Sequence, residues 1–306
     1  MVANISRVES AVIDGRARTP RYIQRQLFAL HDALSRSLPD IARSIASDGA
    51  VGTAEAWAEI AKTMEVVKLE YANVNPAQCI ESEYSLARGK ENAQRRLPYG
   101  CAFIIPARHT PFYSIIQPVC ASIATGNCVV VEIAPSASAV ARLLATIMAA
   151  VLETDTFAVV DQLPAIPSSL RGQVVVVDGS GKTARDIGRG AAIYLETPHS
   201  RTVAVVDRSS NVRAAAKDLV RSRMCFGGTS PYAPSLVLVN EFVLDDFCRA
   251  ATESLTSLLH STGSTQGGKP RRGGALDSSV QKAVDQQEAE MIVSTAAGSI
   301  VVLRSR

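Results

Sequence analysis

The stretch "MCFGGTSPYAPSLVLVN", residues 224–240, has the make-up of a loop that presents a reactive side chain. Gly227 and Gly228 allow backbone torsions closed to other residues and close approach by a ligand. Pro231 and Pro234 stiffen the segment, and Leu236 to Val239 read as a short buried strand behind it. The groups on offer are the Ser230 hydroxyl and the Tyr232 phenol, with no cysteine among them. Tyr232 has a simpler reading as a packed ring whose hydroxyl meets backbone. A second candidate is "VVVVDGSGKTARDIG", a strand running into a turn at Gly179 and Ser180. It resembles a phosphate turn without the full G-x-G-x-x-G spacing, and a plain strand-to-helix turn explains it equally well. The third is His109 in "PARHTP", which suits a cap for the helix opening near Pro111 better than proton transfer.

Metal chemistry finds no support. Cys79, Cys101, Cys120, Cys128, Cys225 and Cys248 are widely spread, no CxxC pair occurs, and histidines are too few for a cluster. Surroundings such as "YGCAFII" and "QPVCASI" read as reduced, buried thiols of a cytoplasmic protein.

Three regions must position these groups. Residues 1–95 are helical: "RTPRYIQRQLFALHDALSRSLPDIARSIASDG" opens on Thr19 as N-cap and Pro20 at the first helical position. Ile23, Leu27, Leu30 and Leu34 make its apolar stripe, and Asp48-Gly49 ends it. A second helix begins near Thr53 with Trp57, Ile60, Met64, Val67 and Tyr71 on its apolar face. From about residue 96 to 198 the period changes. "CAFIIP", "CVVVEI", "FAVV", "QVVVVD" and, just beyond, "TVAVVD" are apolar runs, with helices expected over Pro111–Ala124, Ser136–Leu152 and Thr183–Ala191. Buried strands alternating with helices indicate an α/β protein with a doubly wound parallel sheet, whose ligands bind at the carboxyl ends of the strands. Residues 199–306 hold a further partial α/β alternation. It comprises helix Val212–Arg223, the opening loop with its strand, and helix Asp245–Leu259. A solvated loop "STGSTQGGKPRRGG", a polar helix "SSVQKAVDQQEAEMIVS" and an apolar strand "SIVVL" follow. An ending on an apolar strand reads as an interrupted domain.

Composition narrows the class of partner. A chain of 306 residues that is 47% hydrophobic can bury a substantial core, and a net charge of +3 with interspersed signs leaves no nucleic-acid footprint. The longest apolar stretch, Leu143 to Leu152, is too short to span a bilayer. "MVANISRVES" lacks the apolar region of a secretion signal.

The order of these segments resembles the aldehyde dehydrogenase superfamily. The resemblance rests on "RRLPYGCAFIIPARHTPFYSIIQPVCASIATGNCVVVEIAPSASAVARLL", the Gly-Ser turn, "AIYLETP" and "CFGGTSPYAPSLVLVNEFVLDDF", and runs from roughly residue 20 to 260. It implies N-terminal helices, a Rossmann-like cofactor domain and part of a second, catalytic-type α/β domain. The last segment looks most like a divergent fungal branch often found beside natural-product genes. It also implies a carbonyl-containing small-molecule substrate and leaves a homodimer open. Family members continue well beyond this point, so the chain reads as C-terminally truncated.

The departures from the family pattern bear on function. Aligning "APSLVLV" on the family strand puts Pro231 where the family carries its thiolate nucleophile, with Ser230 and Tyr232 beside it. Cys225 lies six residues earlier and is a poor substitute. The family's oxyanion-stabilising Asn corresponds to "PARHTP", where Arg108 or His109 takes its place. The lysine that helps hold the cofactor's ribose corresponds to Glu132, a reversal of charge. Glu196 stands where the general base belongs, although a salt-bridged surface carboxylate would look the same. Classical dehydrogenase activity is therefore not expected and no cofactor is required. Weak NAD binding, preferred over NADP, is the most that Glu132, Gly179 and Ser180 imply. Three readings remain. The first is a degenerate member acting on or binding a carbonyl metabolite by acid/base chemistry, with Glu196, Tyr232, His109 and Ser230 as its groups. The second is an NAD(P)-dependent aldehyde oxidoreductase with a surrogate nucleophile, and the third a non-catalytic partner or inactive product. On the first reading Glu196 and Tyr232 share one cleft with His109 at its rim.

Overall fold

The computed structural model describes residues 5–48, 51–93, 95–180, 192–195, 202–228, 230–262, 278–294 and 299–303. The chain divides into two compact units, Met1–Asp48 with Thr53–Pro198 and Gly49–Gly52 with His199–Arg306.

The first unit is built on a parallel sheet of five strands: β1 (Cys101–Ile105), β2 (Cys128–Glu132), β3 (Phe157–Val160), β4 (Val174–Asp178) and β5 (Ala192–Leu195). Their spatial order is β3-β2-β1-β4-β5. Branched Val and Ile suit this setting because a parallel sheet is covered on both faces. On one face Phe103, Val130 and Val176 pack with Val8, Ala11 and Val12 of helix α1 (Ile5–Asp14). Strand alternation leaves Ala102, Ile104, Val129 and Val131 for the opposite face. There α6 (Pro111–Ala124) lies against β1 and β2, and α7 (Ala139–Val151) against β3. Around them pack α2 (Pro20–Arg36), α3 (Leu38–Ser47), α4 (Thr53–Asn73) and α5 (Pro76–Glu83).

The stripe Ile23, Leu27, Leu30 and Leu34 is buried as its spacing requires. Two helical expectations need correction. The helix opened at Pro20 does not run on to Asp48: it breaks at Ser37, because Pro39 has no N–H to continue the ladder. On α4 the buried stripe is Ala56, Glu59, Ile60, Thr63 and Val67, and Trp57 is 45% exposed, with Tyr71 also outside. The stripe is rotated because small residues let α4 lie close to α6, and the aromatic rings take the rim.

In the second unit, β6 (Val203–Val206) and β7 (Leu236–Val239) form a parallel pair joined through α8 (Val212–Met224). "TVAVVD" therefore belongs to this pair, not to the five-stranded sheet. Val206, Val237 and Val239 pack on α8 and on α9 (Leu244–Thr262) around Ala216, Phe247 and Ala251. β7 is not the buried strand its composition suggests: Leu238 is 54% exposed and Val205 on β6 is 73% exposed. The expected polar helix over residues 278–294 is also only half correct. α10 (Ser278–Asp285) ends at a turn in which Gln287 has φ +60°. β8 (Ala289–Ser294) then pairs antiparallel with β9 (Ser299–Leu303), as the branched and apolar run Met291-Ile292-Val293 favours. The expected helix Thr183–Ala191 and most of the loop 261–274 lie outside the described residues. No helix among the described residues is long and apolar enough to cross a membrane.

Candidate functional site

The strand order reverses between β1 and β4, and the loops leaving their carboxyl ends meet at this switch point, where sheets of this kind bind their ligands. At the end of β4 the buried Asp178 carboxylate accepts from Ser180 N–H (2.8 Å) and Ser180 Oγ–H (2.7 Å) through Oδ1, turning the chain sharply. Gly179 N–H donates to the Ile105 carbonyl at 2.8 Å. A Cβ on Gly179 would lie 2.6 Å from the Ala107 backbone nitrogen, so only glycine lets the two loops approach this closely.

The loop after β1, residues 106–110, is held at both ends. Ser114 Oγ–H donates to the Ala107 carbonyl at 2.8 Å, and Thr110 adopts a left-handed conformation, φ +42°, before Pro111 opens α6. His109 between them is half-buried, and burial lowers its pKa below the ordinary 6.5. His109 is not needed as the helix cap. The N–H groups of Phe112 and Tyr113 donate to Glu59 Oε1 at 2.8 and 3.2 Å, and Ser114 N–H goes to the Thr110 carbonyl. Glu59 is only 4% exposed, and its Oε2 has no hydrogen-bond partner among the described residues. Burial raises its pKa, and the two N–H donors pull against that rise. The sequence signal for this residue was a glutamate in line with Ala56 and Thr63.

Glu132 ends β2, and its Oε2 accepts from Leu163 N–H at 3.0 Å, so one carboxylate oxygen is engaged within the fold. The N-terminus of α7 nearby is also filled from within. Ser138 Oγ accepts from Ala141 N–H (3.3 Å), while Asp48 Oδ1 and Oδ2 accept from Ala139 N–H (2.6 Å) and Val140 N–H (3.0 Å). Helix N-termini at this edge of a sheet are the ready places for a dinucleotide phosphate. Carboxylates of the chain occupy both of the described ones, so the described residues do not by themselves fit a phosphate cradle. Residues 181–191, which continue from Ser180, lie outside the described set.

In the second unit the opening loop begins with three left-handed residues, Phe226 (φ +51°), Gly227 (φ +66°) and Gly228 (φ +71°). Then comes a turn in which Ala233 N–H donates to the Ser230 carbonyl (3.3 Å) and Tyr232 N–H to Ser230 Oγ (3.3 Å). Thr202 Oγ–H fastens it at the Pro231 carbonyl (3.2 Å). The Tyr232 side chain is not a packed ring: the residue is 62% exposed and stands out from the turn. Cys225, half-buried, follows α8. Glu196 lies outside the described residues, so the expected pairing of Glu196 with Tyr232 does too.

A parallel sheet whose strand order reverses between β1 and β4, followed by a second α/β unit, places the chain in the class of Rossmann-like α/β folds. The sequence pattern of the aldehyde dehydrogenase family matches residues 4–296, and the chain belongs to that family. It is similar to 4,4'-diaponeurosporen-aldehyde dehydrogenase of Staphylococcus aureus, 24% identical over 249 residues, covering 76% of this chain and 53% of the relative. It is likewise similar to the dimeric NADP-preferring aldehyde dehydrogenase of Rattus norvegicus, 23% identical, covering 82% of this chain and 58% of the relative. The chain thus spans somewhat more than half the length of these relatives. Among solved structures, substrate-bound Staphylococcus aureus AldH superposes with a TM-score of 0.66 at 18% identity, over 83% of this chain and 57% of that one. Aldehyde dehydrogenase 21 of Physcomitrella patens gives 0.72 at 14% identity, over 97% and 66%. At such identities the superpositions speak for the fold alone.

Proposed function

We propose that this chain binds a carbonyl-containing metabolite, in a biosynthetic route to a natural product, and that any turnover is non-redox proton transfer. The observation that carries the reading is the turn Ser230–Ala233: it presents a hydroxyl and an exposed phenol, with Pro231 at the position the resemblance assigns to the thiol. Three of the described thiols, Cys101, Cys120 and Cys128, are poorly suited to attack. Cys101 and Cys128 are the first residues of β1 and β2, at the end of the sheet opposite the strands' carboxyl ends. Burial pushes Cys128 up to about 12 and Cys101 and Cys120 well above their ordinary range, so none carries thiolate near neutral pH. Burial lowers the pKa of the half-buried His109, which favours its neutral, proton-accepting form near pH 7. Ser230 and Tyr232 serve as hydroxyl donors, and Glu196 as the base the resemblance assigns. No cofactor is required. NAD would supply a hydride acceptor if it bound, and Glu132 would disfavour a 2′-phosphate by like charge.

Family membership itself favours a second reading, NAD(P)-dependent aldehyde oxidation with a surrogate nucleophile, for which Cys225 is the thiol to test. One assay separates the two. The purified chain is given a panel of aldehydes with NAD or NADP, and we expect no formation of reduced nicotinamide, because losing a catalytic nucleophile costs several powers of ten in rate. Aldehyde-dependent reduction that disappears in Cys225→Ser would overturn the proton-transfer reading in favour of the second.

A further inference from the structure

Four observations meet at the loop after β1. Its Ala107 end is fixed by Ser114 and by the approach of Gly179, with no room for a Cβ on the glycine. Its other end enters α6 through Thr110 in a left-handed conformation that side chains rarely adopt, and Thr110 offers no side-chain cap. The N–H groups of Phe112 and Tyr113 are paired instead with a carboxylate 53 and 54 residues away in sequence. That carboxylate is buried, with one oxygen unpartnered. A buried glutamate is costly to a fold, and one hydrophobic or amide side chain would fill the same space without that cost. Its position fits a role in the loop.

We propose that Glu59 is the positioning residue of the loop after β1: reaching from α4, it fixes the entry to α6 and thereby sets Arg108 and His109 between two anchored ends. The proposal rests on the reading that this loop serves proton transfer, but its test reads the loop and not turnover. Because the acceptor is a carboxylate, its hold on Phe112 and Tyr113 is strongest when ionised and weakens on protonation, charge-assisted hydrogen bonds being roughly twice as strong as neutral ones. Glu55, half-buried one turn before Glu59 on α4, is the nearest other carboxylate in sequence. From α6, Tyr113 meets Glu59 through its backbone N–H. Lys62 on α4 is turned to Glu65 at 2.9 Å. On α2 and α3, which pack against α4, Arg36 pairs with Asp32 and Arg43 with Asp40. In the loop itself Arg108 and His109 are the titratable or charged groups. Burial and the two N–H donors are the causes acting on the Glu59 carboxyl.

The sign of the linked stability follows. A carboxyl whose pKa is raised above 4.5 on folding binds more protons folded than unfolded in the window between the two values, so its contribution falls as pH rises through that window. Below the window the contribution is whole, and above it the buried charge is carried in full. Stability relative to Glu59→Gln therefore falls with rising pH, while the hold on the loop grows.

The experiment compares the full chain with Glu59→Gln and Glu59→Leu by amide hydrogen exchange at Phe112 and Tyr113 and by NMR titration of His109. In Glu59→Leu we expect exchange at both amides to rise about tenfold or more, and His109 to titrate back toward 6.5. Glu59→Gln keeps an acceptor and should restore His109 to its wild-type behaviour, while removing the carboxyl-dependent step in amide protection above pH 4.5. Unchanged exchange and an unchanged His109 titration in a folded Glu59→Leu overturn the proposal. If that variant does not fold, Glu59→Gln decides: loss of the carboxyl-dependent step supports the assignment, and its persistence overturns it. Neither outcome depends on whether the protein turns over a carbonyl substrate.

Discussion

β1 and β7 are both short runs of apolar residues, "CAFII" and "LVLV", yet they end in opposite surroundings. Every residue of β1 is buried, while β7 alternates between exposed and half-buried positions. The difference is in their neighbours. β1 has β2 and β4 on its two edges, α1 over one face and α6 over the other. Among the described residues β7 has β6 alone, and its register sets Val203 opposite Leu236 and Val205 opposite Leu238. Those four side chains share one face, and the helices cover the other. An apolar run in sequence says that a strand forms, and the number of layers around it decides whether the strand is core.

The largest expected effect tests the first half of that comparison. Phe103 is fully buried between β2 and β4, so Phe103→Ala removes a ring from a filled interior and should cost about 3–5 kcal/mol in urea unfolding. A loss near 1 kcal/mol would mean that this core repacks easily, and the contrast with β7 would fade.

The loops at the carboxyl edge sharpen it further, for there the packing of backbone against backbone is as tight as in the core. Gly179→Ala puts its methyl carbon 2.6 Å from the Ala107 nitrogen, a contact that no side-chain rotation relieves. It should destabilise by about 1–3 kcal/mol in the same measurement. It should also shift the amide resonances of residues 106–110, since the displaced partner is that loop.

The limits of the sequence follow from the same physics. Four of the five parallel strands, β1 to β4, and α6 were legible because Val- and Ile-rich runs punctuated by breakers have one sensible reading, whereas β5 was not counted among the strand runs and "TVAVVD" was taken in its place. The break at Ser37 was legible in principle from Pro39 but was outweighed by the continuous stripe on either side. The caps were not legible. Asp48 serves α7 at Ala139 and Val140, and Glu59 serves α6, so each pairing joins residues far apart in sequence, and neither helix announces its partner locally. His109 was credited with the capping role because it stands two residues before Pro111, within reach of the helix start. The loop around Gly227 and Gly228 was readable from its glycines, whose positive φ the structure bears out. Tyr232 was read as packed because a tyrosine between two prolines gives no hint that the turn points its ring outward.

The smallest expected effect tests the second half of the comparison and can break it. Leu238 is 54% exposed on β7 and Val205 is 73% exposed on β6, where removing methyl groups loses little buried surface. Leu238→Ser and Val205→Thr should each change stability by no more than about 0.5 kcal/mol, as surface substitutions do. Both should lower the binding of an apolar fluorescent dye, because together with Val203 and Leu236 these side chains make one continuous apolar patch. The outcome against this account is a loss for Leu238→Ser as large as a core substitution gives, about 2 kcal/mol or more. That would mean the face is covered in solution, and the contrast between β1 and β7 would then lie in what covers each strand and not in whether it is covered. An unchanged stability with reduced dye binding leaves the contrast as drawn: two strands of apolar residues, one enclosed on every side and one, among the described residues, enclosed on a single face.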